Sequence, residues 1–159
     1  MATRLTGGTL TVTITESLTM THATTADNRT HSQTITKTFS GIDQLNKRVL
    51  NLPNTNQVKI LDLGTTAASA PGTFLRSAVE YIRITNLDDT NGVTVILEDT
   101  GADTAAILID ADSSLLLTDT QVEAFTDGSA FSGWSNIDEI FLKAASANTQ
   151  VEIVVATTA

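Results

Sequence analysis

The residues of this 159-residue chain best equipped for chemistry are its acids, and they gather at turns. Asp88, Asp89 and Asn91 stand together, as do Asp99 with Asp103 and Asp110 with Asp112. Oxygen-rich turns suit a hard cation such as Ca²⁺, which makes Asp88, Asp89 and Asn91 the candidate ligands. None of the three clusters completes an EF-hand loop. Asp and Asn also populate turns for backbone reasons, so the expectation is no bound metal. Paired carboxylates are the equipment of glycoside hydrolysis as well. A catalytic acid, however, needs burial to raise its pKa, and carboxylates in turns lack it.

Other constellations fail on inventory. His22 and His31 are the only histidines, and both lie in the polar stretch THATTADNRTHSQ. There is no Gly-x-Ser-x-Gly elbow to accompany them and no third ligand at metal-site spacing. The loop GTTAASAPG (64–72) lacks the Lys-Ser/Thr pair that contacts nucleotide phosphates. With no cysteine, neither disulfides, thiolate metal sites nor a nucleophilic thiol is available. The expectation is therefore a protein that is not an enzyme and needs no cofactor. The single tryptophan, Trp134, follows Phe131 and stands between Gly133 and Ser135 in a long loop. It is either a sugar-stacking platform or the pin that fastens that loop to the core. Arg4, Phe131 and Trp134 are the candidate interaction residues. Asn28-Arg29-Thr30 matches a glycosylation sequon, as Thr-rich loops often do by chance.

Any such residue must be positioned by strands. Threonine is the compositional anomaly, at 29 residues against 9 Gly and 2 Pro. It is β-branched, stiff at χ1 and at home on a pleated surface. Thr9–Met20 alternates strictly, with Leu10, Val12, Ile14, Leu18 and Met20 on one face interrupted by Glu16, the pattern of a long half-buried strand. Val79–Leu87 and Val93–Leu97 flank Asp88-Asp89-Thr90-Asn91-Gly92. Asn-Gly between alternating runs predicts a β-hairpin with a type I′ turn. Further strands are expected at Thr34–Ser40, Lys47–Leu52, Val58–Leu63, Phe74–Ser77, Thr104–Ile109, Ser114–Leu117, Ile137–Lys143 and Thr149–Ala156. A bend or short helical turn is expected at Gly41–Leu45 and another helical turn at Val122–Phe125. The switch of apolar parity between Ile60 and Leu61 marks a candidate β-bulge.

About eight to ten short strands without an amphipathic helix predict an all-β fold, an antiparallel β-sandwich of jelly-roll type. The expected organisation is an N-terminal extension over 1–8 and one sandwich domain over 9–159. Net charge is −9, divided as +3 over residues 1–87 and −12 over 88–159. Acidic surface repels phosphate, so no nucleic-acid partner is expected. The opposite signs of the two portions allow one subunit's basic part to meet another's acidic part. The start MATRLTGGTL has no apolar signal core and no run approaches a membrane span, so no membrane partner is expected and synthesis in the cytoplasm is.

The segments FSGIDQLNKRVLNLP (39–53) and VEYIRITNLDDTNGVTVIL (79–97), with TLTVTITESLT at the N-terminus, resemble small β-sandwich virion structural proteins of tailed bacteriophages, particularly marine and cyanobacterial ones. The likeness covers most of the chain and carries over no active residues. It implies a virion component assembled in the host cytoplasm. Within that class the expectation is a capsid decoration (cement) protein. Such a protein docks on the major capsid protein and self-associates, with a trimer favoured and Met1–Gly8 as the segment that orders on assembly. The alternatives are a receptor- or glycan-binding module at a tail or fibre tip, built on the loops 21–32 and 119–136, and a low-copy tail or neck component.

Overall fold

The computed structural model describes residues 7–20, 29–64, 71–118, 134 and 137–159. They form β1 (Gly8–Met20), β2 (Arg29–Ile42), β3 (Gln44–Leu52), β4 (Val58–Gly64), β5 (Thr73–Leu75), β6 (Val79–Asn86), β7 (Val93–Asp99), β8 (Thr104–Ile109), β9 (Ser114–Thr118), β10 (Ile137–Ala144) and β11 (Thr149–Thr157). One 3-10 turn, Arg76–Ala78, joins β5 to β6. The expected helical turn at Gly41–Leu45 is absent: the chain passes from β2 to β3 through Asp43 alone. The one expected at Val122–Phe125 lies outside the described residues.

Two sheets face each other, ordered β5-β4-β10-β7-β8 and β3-β11-β6-β9, while among the described residues β1 and β2 pair only with one another. Numbering the eight strands β3, β4, β6, β7, β8, β9, β10 and β11 from one to eight, the sheets read 1-8-3-6 and 2-7-4-5. That is the double Greek key of a jelly roll. All pairings are antiparallel except that of the short β5 with β4. Between the sheets lies one apolar core, including Leu61, Leu63, Ile82, Ile84, Val93, Val95, Ile140, Leu142, Val151, Ile153 and Val155. Every one of these comes from a run of alternating or continuous β-branched and aliphatic residues, as a two-layer sandwich requires.

The expected bulge is present. Ile140 pairs with Leu61 and Phe141 with Lys59, so Ile60 is an extra residue, and the kink lets Ile60 and Leu61 both be buried. The expected hairpin across Asn91-Gly92 is not. Strand β6 pairs with β9 and β11 in one sheet, and β7 with β8 and β10 in the other. The turn chemistry is real but serves a corner between sheets. Asp88 Oδ1 accepts hydrogen bonds from the backbone of Thr90 (2.9 Å) and Asn91 (2.6 Å), and no positive φ occurs at Asn91 or Gly92 as a type I′ turn would need. Gly92 instead sits close to its neighbours: a Cβ there would lie 3.1 Å from Leu108 Cδ1 and 3.4 Å from the carbonyl oxygen of Ile109, so the Leu108 side chain would have to shift slightly.

Candidate functional site: a projecting hairpin

Strands β1 and β2 form a long antiparallel hairpin in unbroken register from Thr9 opposite Ser40 to Met20 opposite Arg29. Directly opposed residues share a face, and side chains alternate along each strand. One face is therefore composed solely of hydroxyl residues: Thr9/Ser40, Thr11/Thr38, Thr13/Thr36, Thr15/Thr34, Ser17/Ser32 and Thr19/Thr30. The other pairs Leu10 with Phe39, Val12 with Lys37, Ile14 with Ile35, Glu16 with Gln33, and Leu18 with His31. Threonine at every second position favours the extended pleat, which is why so long a hairpin forms.

The base of this arm is fastened to the outer side of the four-stranded sheet. Phe39 and Ile42 are buried with Tyr81, Val154 and Ala156, and Leu10, Val12 and Leu116 pack around them. The Phe39 and Tyr81 rings meet at 5.8 Å with a 53° tilt, and Lys37 Nζ lies 5.2 Å from the centre of the Phe39 ring. A bulge sets the docking angle. Ser40 pairs with Thr9 and Ile42 with Gly8, leaving Gly41 unpaired with φ at +73°. The extra residue shifts side-chain parity, so Phe39 and Ile42, three apart, both reach the sheet. Gly8 permits the close approach, since a Cβ there would lie 2.8 Å from the Ile42 carbonyl oxygen. A Cβ at Gly41 would meet nothing within 4 Å. Gly41→Ala is therefore expected to cost only the left-handed backbone penalty, about 1–2 kcal/mol, in chemical denaturation.

Beyond its base the arm is uncovered. Ile14 is 44% exposed, Ile35 50%, Leu18 53% and Met20 51%, and beside the arm's base Leu45 and Val49 on β3 are each 52% exposed. Six of the eight large exposed apolar residues among those described thus belong to the arm or to the adjoining edge strand. At about 3.4 Å per residue, the seven positions from Ile14 to Met20 extend roughly 20–25 Å. Strand β1 was expected to supply a core face. Only its first third does so, because the body ends beneath Val12.

The remaining candidates fall elsewhere. Asp88 is engaged locally through one oxygen: Oδ1 serves the backbone of its own turn and also accepts from Asn91 Nδ2 at 3.1 Å. The backbone amides of Asn91 and Thr90 hold this carboxyl below the usual range. Among the described residues no three His, Asp or Glu side chains converge as a metal site would require. Trp134 is 2% exposed and donates from Nε1 to the Val79 carbonyl at 2.7 Å. The indole is thus a pin between the start of β6 and the approach to β10, with no face open for a sugar. His31 lies within β2 on the arm, not in a loop. Arg4, Phe131 and His22 lie outside the described residues. Two three-residue ionic groups lie on the body among the described residues: Glu152 meets Lys47 and Arg83, and Lys59 Nζ sits 2.8 Å from Glu139 and 3.2 Å from Asp62. Hydrogen bonds to Glu139 and Asp62 raise the pKa of Lys59, which favours the ammonium form.

The arm was legible in outline only. The Thr-x-Thr pattern marked both segments as strands without showing that they pair, while Glu16, Gln33, His31 and Lys37 on the otherwise apolar face were the signal that this face is not packed along its whole length on the sandwich. Compared with protein-family models, curated proteins and solved structures, the chain has no match in any of the three. The class that fold and site define is an all-β jelly-roll sandwich bearing a projecting two-faced hairpin.

Proposed function

We propose that this chain is a virion structural protein of a tailed bacteriophage, a capsid decoration protein that stabilises the head by docking on the major capsid protein and associating with its own copies. The observation that carries the reading is the arm: an apolar strip held away from an acidic sandwich, a device for joining subunits rather than for turning over a substrate. Residues 43–159 hold sixteen acids and six basic residues, a net charge of −10. Such a body stays soluble and apart from its copies until specific surfaces meet. Repeated docking at equivalent shell sites then multiplies the small area that each arm can bury. The resemblance of 39–53 and 79–97 to phage virion proteins supports the same reading. The glycan-binding alternative loses its principal support with the burial of Trp134.

The test is copy number per particle, by quantitative mass spectrometry of purified virions. Decoration predicts abundance comparable with the major shell protein. A handful of copies would transfer the protein to the tail or neck, and absence from particles would end the virion reading.

A further inference from the structure

We infer that the distal half of the β1–β2 arm is where copies of this chain join, three hairpins closing around a common axis with their apolar faces inward and their hydroxyl faces outward. The first ground is that the arm is incomplete. A lone two-stranded hairpin is at best marginally stable in water, yet this one continues from Ile14 to Met20 with both faces uncovered. Among the described residues its strands also pair with nothing but each other, so within that set each presents one unpaired edge along its length. Long edges are usually blunted by proline, bulges or charge. Here the bulge lies at the base, no proline occurs in either strand, and charge is confined to Glu16 on β1 and to Arg29 and Lys37 on β2.

The second ground is the division of the two faces. A hairpin whose fate was to lie in solvent would have no use for Ile14, Ile35, Leu18 and Met20 on one side. One that lay over a large apolar body would need no uninterrupted row of Thr and Ser on the other. Closure answers both requirements. The β1 edge of one copy pairs with the β2 edge of the next, as a head-to-tail contact that completes a ring. The apolar side chains fill the interior, and the hydroxyls face water. Two hairpins stacked face to face would cover the apolar residues and leave four open edges. Three is the smallest number that encloses side chains, and each additional copy costs further association entropy. The layer made by Glu16 and Gln33 lies between the Ile14/Ile35 and Leu18/His31 layers. It gives the ring a polar level that fixes register, as a single polar layer does in a coiled coil.

This inference concerns the purified chain and stands apart from the virion reading: a trimer that is absent from particles would sink the latter and leave the former intact. The test uses the full chain in native mass spectrometry and light scattering. The wild type is expected to be a trimer. The variant Ile14→Thr with Leu18→Thr and Ile35→Thr keeps side chains of high strand propensity but makes the inner face as polar as the outer. It is expected to be monomeric, with the thermal transition of the body and the fluorescence of buried Trp134 unchanged. A matching change on the hydroxyl face, Thr13→Lys with Thr36→Glu, places an attractive cross-strand pair outside the ring and is expected to leave the trimer in place. A monomeric or dimeric wild type overturns the inference. So does a trimer that survives the triple variant, or one that the hydroxyl-face variant dissolves.

Discussion

Trp134→Ala is expected to lower the stability of the sandwich by about 3–5 kcal/mol, the range for removing a large aromatic side chain from a packed interior. Two features of the side chain place this site near the top of that range. The indole is almost wholly enclosed among the residues of the central core. Its Nε1 proton satisfies the Val79 carbonyl at the first residue of β6. The Trp134 carbonyl in turn accepts from the amide of Ile137 at 2.9 Å, where β10 begins. That backbone link survives the substitution, so the alanine variant loses the indole's packing in the core and its bond to β6. Trp134→Phe separates the contributions. It keeps most of the ring volume but leaves a buried carbonyl without a donor, a loss of about 1–3 kcal/mol. Denaturant midpoints followed by far-UV circular dichroism, with an unchanged m-value, measure both variants. An alanine variant as stable as the wild type would show that the indole does not occupy the core.

Pairs of residues show what the sequence made legible. Asp99 and Asp103 announced a turn, and Asp99 Oδ1 indeed accepts from the backbone of Gly101 and Asp103, each at 2.8 Å, closing the β7–β8 hairpin. Asp88 and Asn91 announced a turn with the same chemistry, yet the strands beside it go to opposite sheets. Local polar residues fix how the chain bends, whereas the pairing partner of β6 is β11, some seventy residues later, chosen by burial of a common face. Alternation has a similar limit. It identified Leu10 through Met20 as one face, and the structure keeps that face. Whether an apolar face is covered depends on how far the neighbouring sheet extends, which is a property of length and topology. Tyr81, Val154 and Ala156 supply the cover for Leu10 and Val12, and nothing in β1 itself tells where they stop. Trp134 carried both of its readings in the sequence, because a pin and a platform use the same ring. Only the position of the Val79 carbonyl distinguishes them.

Asn86→Asp is expected to be as damaging at neutral pH as its small change in shape makes surprising. Asn86 ends β6 fully buried, and its side chain binds two sheet-crossing connections together. Nδ2 donates to the carbonyls of Asn91 at 2.7 Å and Asp110 at 3.0 Å, while Oδ1 accepts from the amide of Asp88 at 3.1 Å. The backbone of the two turns is joined separately, with Asp112 donating to the Asp88 carbonyl at 2.9 Å. Asn86→Ala removes the side-chain links and leaves enclosed carbonyls unpaired, at about 2–4 kcal/mol for a small set of buried hydrogen bonds. Asn86→Asp goes further, because an ionised carboxylate turns an oxygen, rather than a donor, toward two carbonyl oxygens. Burial and that repulsion both favour the neutral acid, so the folded state raises the pKa of the new group. The sign follows: the penalty is fully present above the raised pKa of the folded state and shrinks as the pH falls through that value toward the ordinary carboxyl pKa of the unfolded chain, where the buried acid holds a proton and regains one donor. The nearby Asp88 runs the other way. Its carboxyl is held below the usual range, so its contribution is retained at neutral pH and lost only on strong acidification. Because Asp88 is present in both proteins, the difference between variant and wild type isolates residue 86. Denaturation of wild type, Asn86→Ala and Asn86→Asp at neutral pH and in mild acid should place the aspartate variant below alanine in the first condition and level with it or above in the second. A pH-independent gap between Asn86→Asp and wild type would mean that the side chain at 86 does not face those carbonyls.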